Sequence, residues 1–136
     1  MKKTRFKPPY DKKGKTNFRF TNNKAGAYLI KDKSGKVVYI GMSASNLYKT
    51  MYRHFQSWKD STQVRITYPK QGYTVRVVLT TPKRAYLLER ALILKMKPKD
   101  NPHKLELFSI TNKEKTALKQ YEEKSDWYEV RTDTPF

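Results

Sequence analysis

One carboxylate, Glu89, falls inside the apolar stripe of a helix that the sequence predicts for residues 82–96. A charge in such a stripe is costly to bury unless it is paired with a cation or binds a metal ion. The residues themselves leave two interpretations open. Glu89 forms a buried ion pair with one of the many arginines, or it is the ligand of a metal ion.

Tyr28 and Tyr39 lie in two short apolar runs, residues 25–30 and 37–42, which flank a charged, turn-forming segment. Gly35 in that segment is free to take a positive φ, so the pattern predicts a β-hairpin. Equivalent positions on antiparallel strands are about 4.5–5.5 Å apart, and the two phenols would then lie side by side on one face. Alternatively, both are ordinary strand residues, because tyrosine favours strands.

The segment 46–58 is predicted to be a helix with Ser45 as its N-cap. Its apolar residues recur at helical spacing and form one stripe: Leu47, Met51, Phe55 and Trp58. Thr50, Arg53 and His54 lie on the adjoining polar sector. From the residues alone, Arg53 and His54 are solvent-facing helix residues.

Further strands are predicted on both sides of this helix. Residues 17–21 alternate and are consistent with a short strand beside the first hairpin. Residues 64–68 and 73–80 are expected to form a second hairpin, whose longer arm is β-branched and should be a central strand. Residues 104–110 are either an edge strand or a docking segment.

Two later helices have defined start signals. Thr81 is followed by a proline at the first helical position, which predicts a helix that ends before Pro98. Thr111 and Glu114 have the spacing of a capping box, and the helix that they open is predicted to run to about Lys124. The sequence therefore predicts an α/β (α+β) domain.

The chain has 136 residues, enough for one small domain, and a formal net charge of +18. Such a charge predicts a polyanionic partner, DNA or RNA first and an anionic membrane surface second. Residues 1–16 are basic and are not expected to order themselves, so they form either an arm that contacts phosphates or a solvated tail. Cysteine is absent, and no apolar run is long enough to span a bilayer, so we expect a cytoplasmic protein that does not enter membranes.

The predicted hairpin resembles the signature of the GIY-YIG nuclease family. Residues 26–28 read Gly-Ala-Tyr and residues 39–41 read Tyr-Ile-Gly, with Ala27 in place of the family's isoleucine. The order of the later blocks agrees with the same family. Glu89 on a helix, followed by a proline and then Asn101, is similar to the family's final motif.

The resemblance implies a compact domain with a small three-stranded central sheet flanked by helices. It also implies hydrolysis of DNA phosphodiester bonds, with Glu89 as the single protein ligand of one Mg²⁺ or Mn²⁺ ion. In this interpretation Tyr28 or Tyr39 activates the water, and positive charge around the tyrosine favours the phenolate. The residues alone do not decide between the two tyrosines.

The remaining site residues follow from the same resemblance. The family places an arginine four residues before a histidine or tyrosine, and Thr50 stands where that arginine is expected. The resemblance implies that this arginine holds the scissile phosphate, and that role is assigned to Arg53, one turn later. His54 is assigned the role of orienting a tyrosine or the water. Supporting positions are Gly41, Ser43, Thr50 and Asn101.

Three functional hypotheses remain. The leading one is a metal-dependent DNA endonuclease, monomeric or weakly homodimeric. The second is a catalytically impaired nucleic-acid-binding module of the same fold, which Thr50 favours. The third is a basic structural protein of a ribosome-like or virion-like assembly. The expected division is a basic N-terminal arm over residues 1–23, the nuclease-like domain over 24–110, and a helical extension over 111–136.

Overall fold

The protein is described by a computed structural model that covers residues 1–56, 66–101 and 108–123. Four strands form one antiparallel sheet in the order β1-β4-β2-β3. The strands are β1 (Lys2–Lys3), β2 (Gly26–Lys31), β3 (Val37–Ser43) and β4 (Thr74–Leu79). This α+β arrangement confirms the predicted fold class, and the predicted three-stranded centre is extended by the short strand β1.

The first hairpin forms as its sequence predicts. Asp32 turns the chain between β2 and β3, because its carboxylate accepts hydrogen bonds from the backbone N–H groups of Ser34 and Lys36 at 2.9 and 3.0 Å. Gly35 has a φ of +89°, a left-handed conformation that favours glycine. The register pairs Tyr28 with Gly41 and Ile30 with Tyr39, so both tyrosines lie on one face.

The three α-helices are α1 (Leu47–Tyr52), α2 (Pro82–Met96) and α3 (Asn112–Glu122). Thr81 caps α2 by accepting from the backbone of Arg84, and Thr111 and Glu114 form the predicted capping box of α3. Both predicted helix starts are therefore confirmed. The cap of α1 is Asn46 rather than Ser45, since the Asn46 side chain accepts from the backbone N–H of Lys49.

Two hydrophobic clusters cover the two faces of the sheet, because side chains alternate along each strand. One contains residues from β2 and β4 with α1 and the segment before β2: Phe18, Tyr28, Ile30, Leu47, Met51, Tyr52, Phe55, Tyr68, Val75 and Val77. The other joins the opposite face to α2 and α3: Ala27, Leu29, Ile40, Val78, Leu88, Leu92, Ile93 and Ala117. The sheet is thus the middle layer of the domain.

The prediction that residues 1–16 do not order themselves is wrong. β1 pairs with β4, Lys7 forms a bridge with Val75, and Thr4 donates its backbone N–H to the carbonyl of Val77 at 2.9 Å. The segment adds backbone hydrogen bonds to a sheet edge that would otherwise be open. Its low apolar content misled the prediction, because the sheet supplies the partners that the segment lacks by itself.

Two further predictions of local structure are wrong. Arg19–Thr21 form a 3-10 turn rather than the strand predicted for residues 17–21. Ile66, Thr67 and Tyr68 are not in a strand, so the described part of the predicted second hairpin has only its longer arm, β4. β4 lies between β1 and β2, which confirms that this arm is a central strand.

Several predictions fall on residues outside the described ranges: the helix end at Trp58, the strand residues 64–65, residues 104–107, and the chain from Lys124 onward. Residues 108–110 are described and are not in a strand. In the part of the chain that the structure describes, no helix combines the length and the apolarity that a membrane crossing requires.

Candidate active site

The ring of Tyr28 lies directly over Gly41, its partner on the neighbouring strand. A Cβ atom added at Gly41 would overlap the hydroxyl end of this ring. Only glycine therefore leaves room for the phenol at this position. Tyr28 is 1% exposed, and its hydroxyl is held at a fixed place on the sheet.

Tyr39 and His54 complete an aromatic group around Tyr28. The rings of Tyr28 and Tyr39 are stacked with their centroids 6.1 Å apart. The ring of His54 lies 4.5 Å from that of Tyr39 and 5.6 Å from that of Tyr28. The structure thus brings together three of the residues that the sequence selected.

The hydrogen bonds of His54 define its role. Its Nδ1 lies 2.7 Å from the carbonyl oxygen of Ile66, which can only accept, so Nδ1 carries the proton. In the neutral ring Nε2 is then an acceptor, and it lies 2.7 Å from the hydroxyl of Tyr28. Tyr28 therefore donates to His54, and a proton on Tyr28 has a direct path to the imidazole.

His54 is buried, at 7% exposure, which corrects its predicted place on the polar side of a long helix. α1 ends at Tyr52, and Arg53–Phe55 continue as a 3-10 turn. A 3-10 turn has three residues per turn instead of 3.6, so His54 is rotated from the direction that an α-helix would give it. The inward direction is held by the bonds to Tyr28 and Ile66.

Glu89 is half-buried on α2, beside the buried residues Leu88 and Leu92. Burial raises its pKa from 4.5 to about 7. In the described part of the chain it has no hydrogen-bond or ion-pair partner, while its neighbour Arg90 is bound to Glu114 on α3 at 2.9 Å. The predicted alternative of an ion pair between Glu89 and an arginine is therefore not found among these residues.

The pKa of Tyr28 is raised well above its usual value by burial, and further by the nearby Tyr39 hydroxyl and Glu89 carboxylate. For Tyr28 this contradicts the expectation that surrounding positive charge favours the phenolate. The excess of cations belongs to the chain as a whole, whereas the surroundings of Tyr28 are apolar and acidic. The influence of Glu89 also indicates that its carboxylate lies near the Tyr28 hydroxyl.

The side chain of Asn101 pairs with the backbone of β3. Its side-chain oxygen accepts from the N–H of Ile40 at 2.9 Å, and its side-chain nitrogen donates to the carbonyl of Ile40 at 2.8 Å. β3 is one of the two edge strands of the sheet in the described residues, so the amide replaces bonds that a neighbouring strand would make. Asn101 therefore fixes the strand position between Tyr39 and Gly41.

Ser43 and Thr50 form hydrogen bonds with the backbone around the start of α1. The Ser43 hydroxyl oxygen accepts from the backbone N–H groups of Ser45 and Asn46 at 3.3 and 2.9 Å. The Thr50 hydroxyl donates to the carbonyl of Asn46 at 3.2 Å. Arg53 is exposed at the end of α1 and is the first residue of the turn that contains His54.

Sequence reasoning missed Tyr68 and Asp100. Tyr68 is buried, its ring lies 6.1 Å from that of His54, and its hydroxyl donates to Asp100 at 2.7 Å. Asp100 also donates its backbone N–H to the carbonyl of Val38 on β3. A tyrosine in a segment predicted to be a strand gave no signal of this contact, since it depends on where a distant loop returns.

In the described residues, no group of three or more histidine, aspartate or glutamate side chains could enclose a metal ion. A hard divalent cation accepts one carboxylate and keeps several waters, so such a group is not required. Glu89 fits that role, because it is a half-buried carboxylate without another partner among these residues.

The region that contains these contacts is similar to known proteins. The family model of the UvrC-like GIY-YIG domain matches residues 24–102. UvrABC system protein C of Lactobacillus delbrueckii subsp. bulgaricus is 37% identical over 75 residues, which are 55% of this chain and 12% of that protein. The protein of the same name from Chlamydia caviae is 40% identical over 77 residues, 56% of this chain and 13% of that protein.

UvrABC system protein C of Symbiobacterium thermophilum is 36% identical over 84 residues, 61% of this chain. These residues are 13% of that protein, so the chain spans only about an eighth of the length of the curated relatives that it matches. The family match includes the hairpin, α1, α2 and Asn101, and it leaves β1 and α3 outside.

We predict that Glu89→Gln stabilises the protein more above pH 7 than near pH 4.5. The raised pKa means that the folded state holds the Glu89 proton while the unfolded state releases it. Stability from this group is thus fully present below pH 4.5 and is lost as the pH rises to about 7. Tm measured on both sides of this window checks the prediction.

The matched control is Glu123→Gln, which changes an exposed carboxylate at the end of α3. Its Tm difference from the unmodified protein should be the same at both pH values. An equal Tm gain from Glu89→Gln on both sides of the window would contradict the assignment of Glu89 as a half-buried carboxylate whose pKa is raised by burial.

Proposed function

The chain belongs to the UvrC-like GIY-YIG family, and from this premise we propose that it is a metal-dependent DNA endonuclease that hydrolyses phosphodiester bonds. The observation that carries the proposal is the proximity of an aromatic hydrogen-bonded group, Tyr28, Tyr39 and His54, to Glu89, a carboxylate that has no partner among the described residues. DNA as the substrate is favoured by the net charge of +18.

Glu89 would hold the metal ion, Mg²⁺ or Mn²⁺. Burial penalises the charged form of its carboxylate, and no described side chain neutralises that charge. Binding of a cation by this carboxylate is therefore favourable. A divalent ion there would supply Lewis-acid stabilisation of the charge on the phosphate and on the leaving oxygen.

The hydrogen bond between Tyr28 and His54 would let the buried phenol act as a base despite its raised pKa. A tyrosine that must first ionise would be scarce as a base at neutral pH. A phenol that passes its own proton to Nε2 of His54 while it accepts one from water does not need to ionise beforehand. The imidazolium so formed would keep its Nδ1–H bond to the carbonyl of Ile66.

Arg53 is the proposed phosphate-binding cation. It is exposed and is the first residue of the turn that carries His54, so it directly precedes the proposed proton acceptor along the chain. A planar guanidinium also binds a phosphate through two parallel hydrogen bonds, which a lysine does not.

A second candidate function is a nucleic-acid-binding module that no longer cleaves. The observation that favours it is Thr50, which stands at the expected arginine position and bonds back to the carbonyl of Asn46. In that case the aromatic group and Glu89 would remain as parts of the fold without chemistry.

The first activity prediction concerns Glu89→Gln. This variant should abolish nicking of a supercoiled plasmid in Mg²⁺ or Mn²⁺ and leave DNA binding nearly unchanged, because the carboxylate's proposed task is to hold the metal. The unmodified protein should cut in either metal and not in EDTA. Cutting by Glu89→Gln at the unmodified rate, with Glu123→Gln as control, would remove the metal role.

The second activity prediction concerns the proton path. His54→Gln should lower the cleavage rate by roughly 10²-fold or more, as for loss of a general base. Its rate should also rise toward alkaline pH, because Tyr28 must then ionise without an acceptor. Single-turnover rates against pH give the measurement.

Tyr68→Phe is the matched control for this experiment, since Tyr68 also contacts His54 but donates its hydroxyl to Asp100 instead. It should keep the unmodified pH profile. A His54→Gln profile with the same shape as the unmodified one would show that His54 acts only by packing.

The third activity prediction concerns Arg53. Arg53→Ala should reduce the rate by roughly 10²–10³-fold, as for removal of one charge-stabilising donor, and Arg53→Lys should recover little. Thr50→Arg should raise cleavage in a decayed enzyme and add little if Arg53 already acts. Lys49→Ala, which removes one exposed charge from the adjoining helix α1, is the control. An equal reduction in Lys49→Ala would contradict a specific role of Arg53.

A further inference from the structure

The same five-residue pattern, Asp-Lys-x-Gly-Lys, occurs twice in the chain, at residues 11–15 and 32–36. We call these segments the first and the second lysine loop. The first lies before the region that the family model matches, and the second connects β2 and β3 inside it. A pattern of this length is too short to be read as a repeat from the sequence alone.

The two lysine loops have the same hydrogen bonds. In each loop the aspartate N–H donates to the carbonyl of the last lysine at 2.8 Å, and the glycine N–H donates to the aspartate carbonyl at 3.0 or 3.1 Å. In each loop the carboxylate also accepts from the backbone N–H of the third and fifth residues, at 2.8–3.0 Å. Gly14 and Gly35 have φ of +81° and +89°.

This geometry matters for the charge of the loops. Each carboxylate accepts hydrogen bonds from backbone N–H groups of its own turn. The lysines of the turn therefore extend outward and do not pair with the carboxylate. The lysines concerned are Lys12, Lys13 and Lys15 in the first loop and Lys33 and Lys36 in the second, and all five are exposed.

A third loop, residues 69–72, connects the two lysine loops. The ammonium of Lys70 lies 4.9 Å from the ring centre of Tyr10, which directly precedes the first lysine loop. The side chain of Lys33 in the second lysine loop lies against Gly72, where an added Cβ would overlap it. The three loops therefore adjoin one another at one end of the sheet.

The basic surface continues beyond the second lysine loop. Lys36 lines one cleft together with Lys97 and Lys99, which follow α2. We call the complete set the lysine belt: Lys12, Lys13, Lys15, Lys33, Lys36, Lys70, Lys97 and Lys99. All eight are exposed, and none of them forms an ion pair within the described residues.

The lysine belt runs past the candidate active site. Tyr73, at the end of the connecting loop, stacks on Tyr68 with ring centroids 5.1 Å apart, and Tyr68 in turn contacts His54. Lys99 precedes Asp100, the acceptor of the Tyr68 hydroxyl. A strand of phosphates that follows the belt would thus pass within one aromatic ring of His54.

We propose that the lysine belt is a track for the phosphate backbone of duplex DNA, which it holds beside the site whose function is proposed above. Lysines act as point charges toward phosphates and carry no base preference, so the contact is independent of sequence. Two aromatic rings beside the belt already have partners, since Tyr10 contacts Lys70 and Tyr52, and Tyr73 stacks on Tyr68. Rings engaged in this way are poor platforms for unstacked bases, which favours a duplex over a single strand.

The test measures binding of a short labelled duplex of arbitrary sequence by fluorescence anisotropy, in EDTA, at several salt concentrations. The variants are Lys12→Gln/Lys13→Gln/Lys15→Gln and Lys33→Gln/Lys36→Gln. The matched control is Lys113→Gln/Lys115→Gln/Lys119→Gln, which removes three exposed charges from α3. The slope of log K against log [salt] should become shallower by about 0.9 for each phosphate that a variant no longer neutralises.

Each belt variant should therefore bind more weakly and with a shallower slope, while the α3 control keeps the unmodified slope. Equal changes in the belt triple and the α3 triple would overturn the proposal, since binding would then follow net charge alone. A larger loss of affinity for a single strand of the same length than for the duplex would also overturn it.

Because binding is measured without metal, this result is separate from the proposed cleavage. If the belt variants bind as predicted but the protein never cuts DNA, the track is supported and the proposed endonuclease function is overturned. If the protein cuts DNA in Mg²⁺ but all belt variants bind as tightly as the unmodified chain, the endonuclease function is supported and the track is overturned.

Discussion

The packing of the Tyr28 ring over Gly41 is the contact on which the candidate site depends. It requires a residue without a side chain on β3, because the ring end occupies the place of a Cβ atom. That single space fixes the hydroxyl where His54 accepts from it at 2.7 Å. Tyr39 and His54 then have defined neighbours, and the short turn after α1 is directed inward by the same bond.

Elements at a distance from the site maintain this geometry. Asn101 bonds both backbone groups of Ile40, and so holds the edge strand between Tyr39 and Gly41. On α2, Arg90 is engaged by the buried Glu114 of α3. The arginine nearest in sequence to Glu89 is thereby occupied, and Glu89 keeps its charge uncompensated among the described residues.

The distribution of charge divides the molecule into two regions. The net charge is +18, and among the described residues many of the lysines and arginines are exposed, several of them on turns. The surroundings of Tyr28 and Glu89 instead raise the pKa of both groups, chiefly through burial. A basic surface and a desolvated carboxylate can both contribute to binding one polyanion. The surface attracts the polyanion at long range, and the carboxylate takes up a cation that contacts the polyanion at short range.

The sequence by itself determined the local features of this protein. Thr81 and Thr111 mark their helices because a cap needs only neighbouring residues, and the two apolar runs around Gly35 specify a hairpin. Tyr28, Tyr39 and Glu89 could be selected because their positions follow from strand and helix periods. Only the tertiary structure decided that residues 1–16 are ordered, that His54 points inward, and that Tyr68 and Asp100 contact each other beside His54. Each of these depends on partners far along the chain, such as Val75 for Lys7 and Ile66 for His54, and local periodicity carries no information about such partners.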